Sequence, residues 1–490
     1  MLQGAELEAL RAAIDRLSRL AGVRYADVRF MESKTERLHL RDGRPEVVTR
    51  TTNRGVGVRV LGERAWGFAC TPIVSEAEVV RAAERALSIA RASGALVREP
   101  ARFPERAAER GAYATKVEVD PFAVPMEDKL AKLDLPMRAL LAKGAPIRSA
   151  EAWMEWTGQH KRLLTTEGTD VDQRMTFGAC GMCCVAVSDA GLVQRRSFPT
   201  WQGCEGFQGG WERARDLDLL GAVDRVAEEA IALLSAPPCP AGARDVLLES
   251  SQVALQVHES CGHPTELDRV LGAEISLAGG SFLQPELLDR LRYGSDLVTL
   301  VADSTAEGGY GTFGWDDEGV PAGKHALVER GTFVGYLTSR ETAAALGRAP
   351  VGAMRADAWN RTPLIRMVNV SLEPGAGTLE VLVADTKDGV LFETDRSWSI
   401  DDQRLDFQFS CELAWEIKNG KRVRMLRDPL YAGSTPEFWR SCDAVCGPEE
   451  WRLWGLSTCG KGDPMQIMHV AHGAAPARFR GVTVGNAGGA

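Results

Sequence analysis

No run of about 18 uninterrupted apolar residues occurs in this chain of 490 residues, so no membrane-spanning helix is expected. The opening segment from Met1 to Gly22 spreads carboxylates and arginines among its apolar positions. It lacks a secretory h-region and reads as an amphipathic helix. An excess of positive charge is also missing: Lys plus Arg is 58 against 67 for Asp plus Glu, a net charge of -9. Counterion-driven binding to nucleic acid or anionic lipid is therefore not the expected business, and neither a nucleic acid nor a membrane is an expected partner. There is no Walker A sequence and no G-x-S-x-G nucleophile elbow. Arg54-Gly55-Val56-Gly57 is no dinucleotide fingerprint either, because the third glycine is misplaced and a strand pattern follows. Histidine is scarce, with seven in all. Cysteines number 11, odd and unevenly spaced, which fits thiols of a reducing compartment better than a disulfide framework, and a cytoplasmic protein is expected.

What is present is ordinary globular material, 44% apolar and 26% charged, enough for two to four domains. The expected class is α+β: an N-terminal α/β domain over 1–237, then a largely antiparallel β domain over 238–490 that embeds a helix bearing the candidate site. In the first part, helices are expected near residues 4–21, from Glu76 to about Ala92 with a Ser75/Glu78 capping box, and from Asp216 to Leu234. Strand patterns lie in Tyr25 to Leu40, Ala152 to Trp156 and Leu163 to Thr169. The boundary is placed at Ala236 to Gly242, whose three prolines continue neither helix nor sheet. Beyond it, short apolar runs separated by Gly, Pro, Asp and Asn (Leu297 to Val301, His325 to Val328, Thr332 to Leu337, Val368 to Leu372, Leu379 to Val383) read as antiparallel strands.

The chemistry concentrates in residues 245–268, a strand pattern, a Ser250 or Ser251 N-cap, and a helix carrying His258, Glu259 and His263. In H-E-x-x-H metallopeptidases the i, i+4 spacing faces two imidazoles toward one zinc, with the Glu as general base. Here the spacing is H-E-x-x-x-H, which sets the imidazoles roughly 140° apart on an ideal α-helix. A local π-type turn narrows that angle. Gly262 makes such a distortion cheap, and Pro264 disfavours the α conformation at His263. Spacing alone leaves two readings open, a metal site and a helix face with two hydrogen-bonded histidines.

The chain resembles the TldD/PmbA family of metallopeptidases, on its metal-bearing TldD-like branch. The resemblance runs over nearly the whole chain and rests on segments in matching order: Arg54 to Arg59, Trp66 to Ala69, His258 to His263 with Glu266 and Asp268, Asp316 to Pro321, Gly335 to Arg340, Arg366 to Asn369, and Cys459 to Lys461. It implies a zinc site made by His258, His263 and Cys459, with Glu259 as general base and water or a substrate carbonyl in the fourth position. It also implies short or unfolded peptides as substrates, and a homodimer or a heterodimer with a related metal-free subunit. Glu266, Asp268, Asp316, Asp317 and Glu318 become candidates for the cleft wall or for groups that orient the zinc ligands. The sequence departs from the family pattern after Cys459, at Gly462-Asp463-Pro464.

Competing readings remain at this point. His469 and His472 lie close enough in sequence to be rival third ligands. Asp316 to Glu318 also read as a solvated turn. Cys180, Cys183 and Cys184 contain a C-x-x-C that suits a redox pair or, with Cys442 and Cys446, a structural zinc site, against the plainer reading of small apolar strand residues. The alternative from another functional class is a non-catalytic zinc-containing scaffold or peptide-binding subunit. A third is a thiol oxidoreductase centred on Cys180 and Cys183.

Overall fold

The computed structural model describes residue 2, residues 4–199 and residues 205–487. Two long hairpins build the N-terminal sheet. Tyr25–Arg41 pairs with Arg44–Leu61 through a turn at Asp42-Gly43, whose φ values of 49° and 82° are what a two-residue turn needs to match the strand twist. Ile147–Thr165, one strand where two separate patterns were expected, pairs with Asp170–Val187. The helices Gly4–Ser18 and Glu76–Gly94 lay Leu10, Leu17, Val79, Ala83 and Leu87 on Val28, Phe30, Val56 and Val58 of the sheet. Ser75 occupies the N-cap, but its side chain makes no capping bond; Glu78 instead meets Arg81 at 2.7 Å, so the capping box does not form. Of the expected helix over 216–234 only Val223–Leu233 forms; a separate short helix, Trp211–Asp216, ends where it was expected to begin, and between the two Asp218 accepts the Gly221 amide.

In the second half the strands Asp388–Ile400, Gly242–Leu248, Ala477–Asn486, Pro429–Ser434 and Asp406–Lys418 pair in that order, and the last pairs again with the first, so the ring closes. Only Asp388–Ile400 with Gly242–Leu248 is parallel in this ring. A smaller antiparallel sheet contains Leu300–Asp303, Lys324–Glu329, Thr332–Phe333 and Val370–Leu372. The run Leu379 to Val383 is a helix, Leu379–Ala384, and not a strand. The Thr378 side chain caps it by accepting the Val381 amide, and Leu382 and Val383 are buried while Val381 is exposed, a helical spacing that a short apolar run conceals. The architecture is α+β with largely antiparallel sheets.

The two halves interlock. The C-terminal hairpin Arg452–Lys461/Gln466–Ala474 joins the edge of the N-terminal sheet, with Gly455 opposite Gly206. A Cβ on Gly455 would stand 2.0 Å from the Gly206 carbonyl oxygen, so the approach requires glycine there. Buried ion pairs reinforce the joint: Asp317 meets Lys161 at 2.6 Å and Arg29 at 3.5 Å, and Glu318 meets Arg59 at 3.1 Å. Among the described residues no helix is long and apolar enough to cross a membrane.

Candidate metal centre

The site helix starts directly after the strand Gly242–Leu248, with Glu249 as N-cap rather than Ser250 or Ser251; its carboxylate accepts the Ser251 amide at 2.9 Å. Ser250 is engaged elsewhere, donating to the Ala474 carbonyl and accepting from Trp454. The α-helix Ser250–Val257 then widens into a π turn over His258–Gly262, in which the His263 amide reaches back to the His258 carbonyl. The backbone oxygens loosened by this widening find partners, since Tyr293 donates to Ser260 O at 2.7 Å and Thr265 to Cys261 O at 2.9 Å. Gly262 packs against Met367, whose Sδ would lie 2.1 Å from an added Cβ.

The π turn brings His258 and His263 to one side, with ring centroids 4.8 Å apart. Cys459 reaches them from the C-terminal hairpin, 196 residues beyond His263, with Sγ 3.8 Å from His263 Nε2. A bulge places it: Leu456 pairs with Val470 and Cys459 with Met468, so two residues oppose one and the side chain is re-aimed inward. Donor atoms of His258, His263 and Cys459 lie within 4.8 Å of one another, and all three residues are buried. A tetrahedral zinc holds two nitrogens and a sulfur about 3.3 to 3.6 Å apart, so a small contraction closes this set on the ion.

Hydrogen bonding fixes the tautomers. His472 Nδ1 donates to the Val370 carbonyl at 2.8 Å, which makes its Nε2 an acceptor, and His258 Nδ1 donates to that Nε2 at 2.7 Å. His263 Nδ1 donates to Glu266 at 3.0 Å. Both Nε2 atoms therefore present bare lone pairs, the state a metal ligand needs. Burial, with His472 and His263 alongside, pushes His258 well below its ordinary pKa, and burial holds His263 down to about 3 despite Glu266. Burial raises the Cys459 thiol, opposed by Arg366, which donates to Sγ at 3.0 Å. The donor set fits zinc: two neutral imidazoles and one thiol whose ionised form has a buried guanidinium beside it.

Glu259 Oε1 lies 3.9 Å from His258 Nε2, while Oε2 accepts from Arg404 at 3.0 Å. Burial raises its pKa and Arg404 works against that. Glu266 supports His263 and is itself flanked by Lys461 at 3.5 Å and Arg269 at 3.4 Å. Burial alone would raise Glu266, yet Lys461, His263 and Arg269 together hold it well below the carboxylate range. Asp268 anchors Lys461 at 2.6 Å.

The remaining candidates go elsewhere. His469 is wedged between the rings of Phe177 and Tyr310, each 4.7 Å away, and His472 stands behind His258 as its hydrogen-bond partner. Asp316, Asp317 and Glu318 are not a solvated turn; all three are buried, and their bonds go to backbone amides and to the cations of the N-terminal sheet, none to His258, His263 or Cys459. Cys183 and Cys184 sit inside the N-terminal sheet, their thiols pushed up to about 12 by burial, while Cys442 and Cys446 belong to the other core. Arg404 and Arg366 have roles at the site that sequence spacing did not reveal. Arg366 lay in a segment carrying the family resemblance; Arg404, at φ 62° in a loop, had no local signal.

Residues 241–486 match the family described as PmbA/TldA metallopeptidase C-terminal domain, and residues 26–90 match its domain 1. The chain is 30% identical over 438 residues to metalloprotease MJ0996 of Methanocaldococcus jannaschii, covering 89% of this chain and 92% of that one. It is 25% identical over 247 residues to a zinc metalloprotease TldD homolog of Saccharolobus solfataricus, over 50% of this chain and 52% of that one. The crystal structure of TldE from Thermococcus kodakarensis shares the fold, with a TM-score of 0.72, 16% identity, and coverage of 98% and 100%. With more than half its length matched by the family's C-terminal domain, the chain belongs to the PmbA/TldD family of metallopeptidases.

Proposed function

We propose that the protein is a zinc-dependent peptidase of the H-E-x-x-x-H type, acting on short or unfolded peptides, with His258, His263 and Cys459 as ligands and Glu259 as general base. The observation that carries this reading is the convergence of two imidazoles with bare Nε2 atoms and one cysteine at a π turn, beside a buried carboxylate that no structural metal site requires. Zinc held there supplies a Lewis acid that lowers the pKa of water and polarises a peptide carbonyl. Glu259 takes the proton from the attacking water and hands it to the departing amine. Its raised pKa suits it to return the proton, and Arg404 fixes Oε2 so that Oε1 faces the ligands. Glu266 and His472 keep the imidazoles neutral and oriented.

Partnership and location are part of the proposal. The likeness in fold to TldE supports pairing with a related metal-free subunit, with a second copy of this chain as the alternative. Thiol content supports a cytoplasmic setting. Glu259→Gln separates the enzyme from a zinc-containing scaffold: zinc content stays at the wild-type level while hydrolysis of an unfolded peptide falls by at least about 100-fold. Unchanged hydrolysis would remove Glu259 from the mechanism.

A further inference from the structure

Beside His258 and His472 lies a narrow cavity of about 60 Å³. Ala254, Leu255, Trp454 and Leu456 give it largely apolar walls, and Asp395 is the one acid that lines it. Asp395 belongs to the strand Asp388–Ile400, at a point where the register slips: Asp395 pairs with Cys411 but Ser397 with Ser410. The preceding Thr394 has φ 61°, a left-handed conformation that a β-branched residue adopts only under constraint. Such an irregularity re-aims a side chain, and here it brings Asp395 into the lining of the cavity, with its two carboxyl oxygens closed off from solvent.

Asp395 is 5% exposed, and among the described residues neither of its buried carboxyl oxygens meets a hydrogen-bond partner. The Arg396 amide favours its anion from outside hydrogen-bond geometry, and the other charged groups that bear on it, Glu412 and Glu259, are carboxylates. Burial, then Glu412 and Glu259, push its pKa well above the ordinary range. A buried carboxyl without a partner is costly in a folded protein. What is missing is a donor, best a cation on a slim apolar stem.

On the reading of the site as a peptidase, we propose that this cavity is a specificity pocket for a basic side chain, in which the stem of a lysine lies against Leu255 and Leu456 and its ammonium meets Asp395. A compact ammonium on a straight stem suits so narrow a space better than a planar guanidinium. The carboxyl, closed off in the free protein, turns into the pocket on binding and gains there the charge-assisted hydrogen bond it lacks in the free one.

The test is binding by fluorescence anisotropy to zinc-loaded Glu259→Gln protein. The probes are N-acetylated peptides that differ only in lysine or norleucine, placed at each position in turn. Lysine should bind about ten-fold more tightly at one position, and Asp395→Asn in the same background should bring that ratio to about one. Asp395→Ser replaces the Asn variant if a thermal melt shows the latter unfolded. Equal binding of both peptides at every position overturns the proposal, as does a preference that survives loss of Asp395. If the norleucine peptide gains the same tightness when its N-terminus is left unacetylated, and lysine gives none in the acetylated series, the pocket takes the α-ammonium and the side-chain proposal fails. Because binding is the readout, these outcomes stand apart from failure of the peptidase reading, which wild-type hydrolysis of the same peptides reports.

Discussion

At the scale of single residues, the state of the candidate ligands is set one bond away from them. His258 is neutral and turned by His472, and His263 by Glu266. Burial holds His263 down to about 3 and His472 down to about 4, against an ordinary value of 6.5. The unfolded chain therefore binds more protons than the folded one across that interval, and their contribution to stability, full above about pH 6.5, is lost as pH falls through 6.5 toward 4. Denaturant melts of the metal-stripped protein should show stability dropping over this window. His472→Asn should lessen the slope by up to about 1.4 kcal/mol per pH unit; an unaltered slope would mean that His472 is not buried neutral. This layer was only partly legible in the sequence. His258, Glu259 and His263 stood out as a motif, and Cys459 followed from family resemblance. His472 drew attention as a rival ligand, because spacing cannot tell a ring that faces the ion from one that stands behind another ring. Arg404 and Asp395 gave no signal, since each is brought in from strands and loops more than a hundred residues away from the helix.

At the scale of elements, the H-E-x-x-x-H spacing brings both imidazoles to one side only because the helix widens for one turn. Gly262 and Pro264 pointed to a distortion, and the π turn lies over His258–Gly262. His263 itself nevertheless keeps a right-handed helical conformation (φ -62°, ψ -44°), so Pro264 ends the helix beyond it without expelling His263 from the α region. Gly262→Ala should be more disruptive than a change in a helix surface, because the new methyl meets Met367 Sδ. The expected loss is about 1 to 3 kcal/mol by overpacking, together with weaker zinc binding as the two imidazoles are forced apart. A chemical-denaturation curve and a zinc titration like those of the wild type would show that the turn tolerates a side chain. The second distortion, the bulge before Cys459, was not legible, because strand alternation near Leu456 to Cys459 gives no sign of which residue is skipped. The segment Leu379 to Val383 misled in the opposite direction: four apolar residues around Glu380 suit a strand or one buried turn of helix, and the Thr378 cap decides for helix.

At the scale of the whole molecule, the site depends on a C-terminal hairpin that folds back to join both the N-terminal sheet and the helix after Leu248. The three-proline segment marked the change from one texture to the next, but no sequence pattern reveals that strands from the end of the chain complete a sheet begun at its start. Asp317 and Glu318 belong to this scale, as ion-pair partners that bind the halves together, while Asp316 accepts the amides of Glu318, Val320 and Met354 and so holds the loop that carries them. Asp317→Ala leaves Arg29 and Lys161 buried without their counter-charge, and a loss of about 3 to 5 kcal/mol in unfolding free energy is expected. A change under about 1 kcal/mol would show the pairs to be solvated and dispensable.

The central claim is that His258, His263 and Cys459 together hold one zinc. Elemental analysis of the purified protein beside Cys459→Ala, after both are loaded with zinc and desalted, tests it most directly. The account predicts about one zinc per chain in the wild type and under about a tenth of that in the variant. Equal zinc in the two proteins, or none in either, would contradict it.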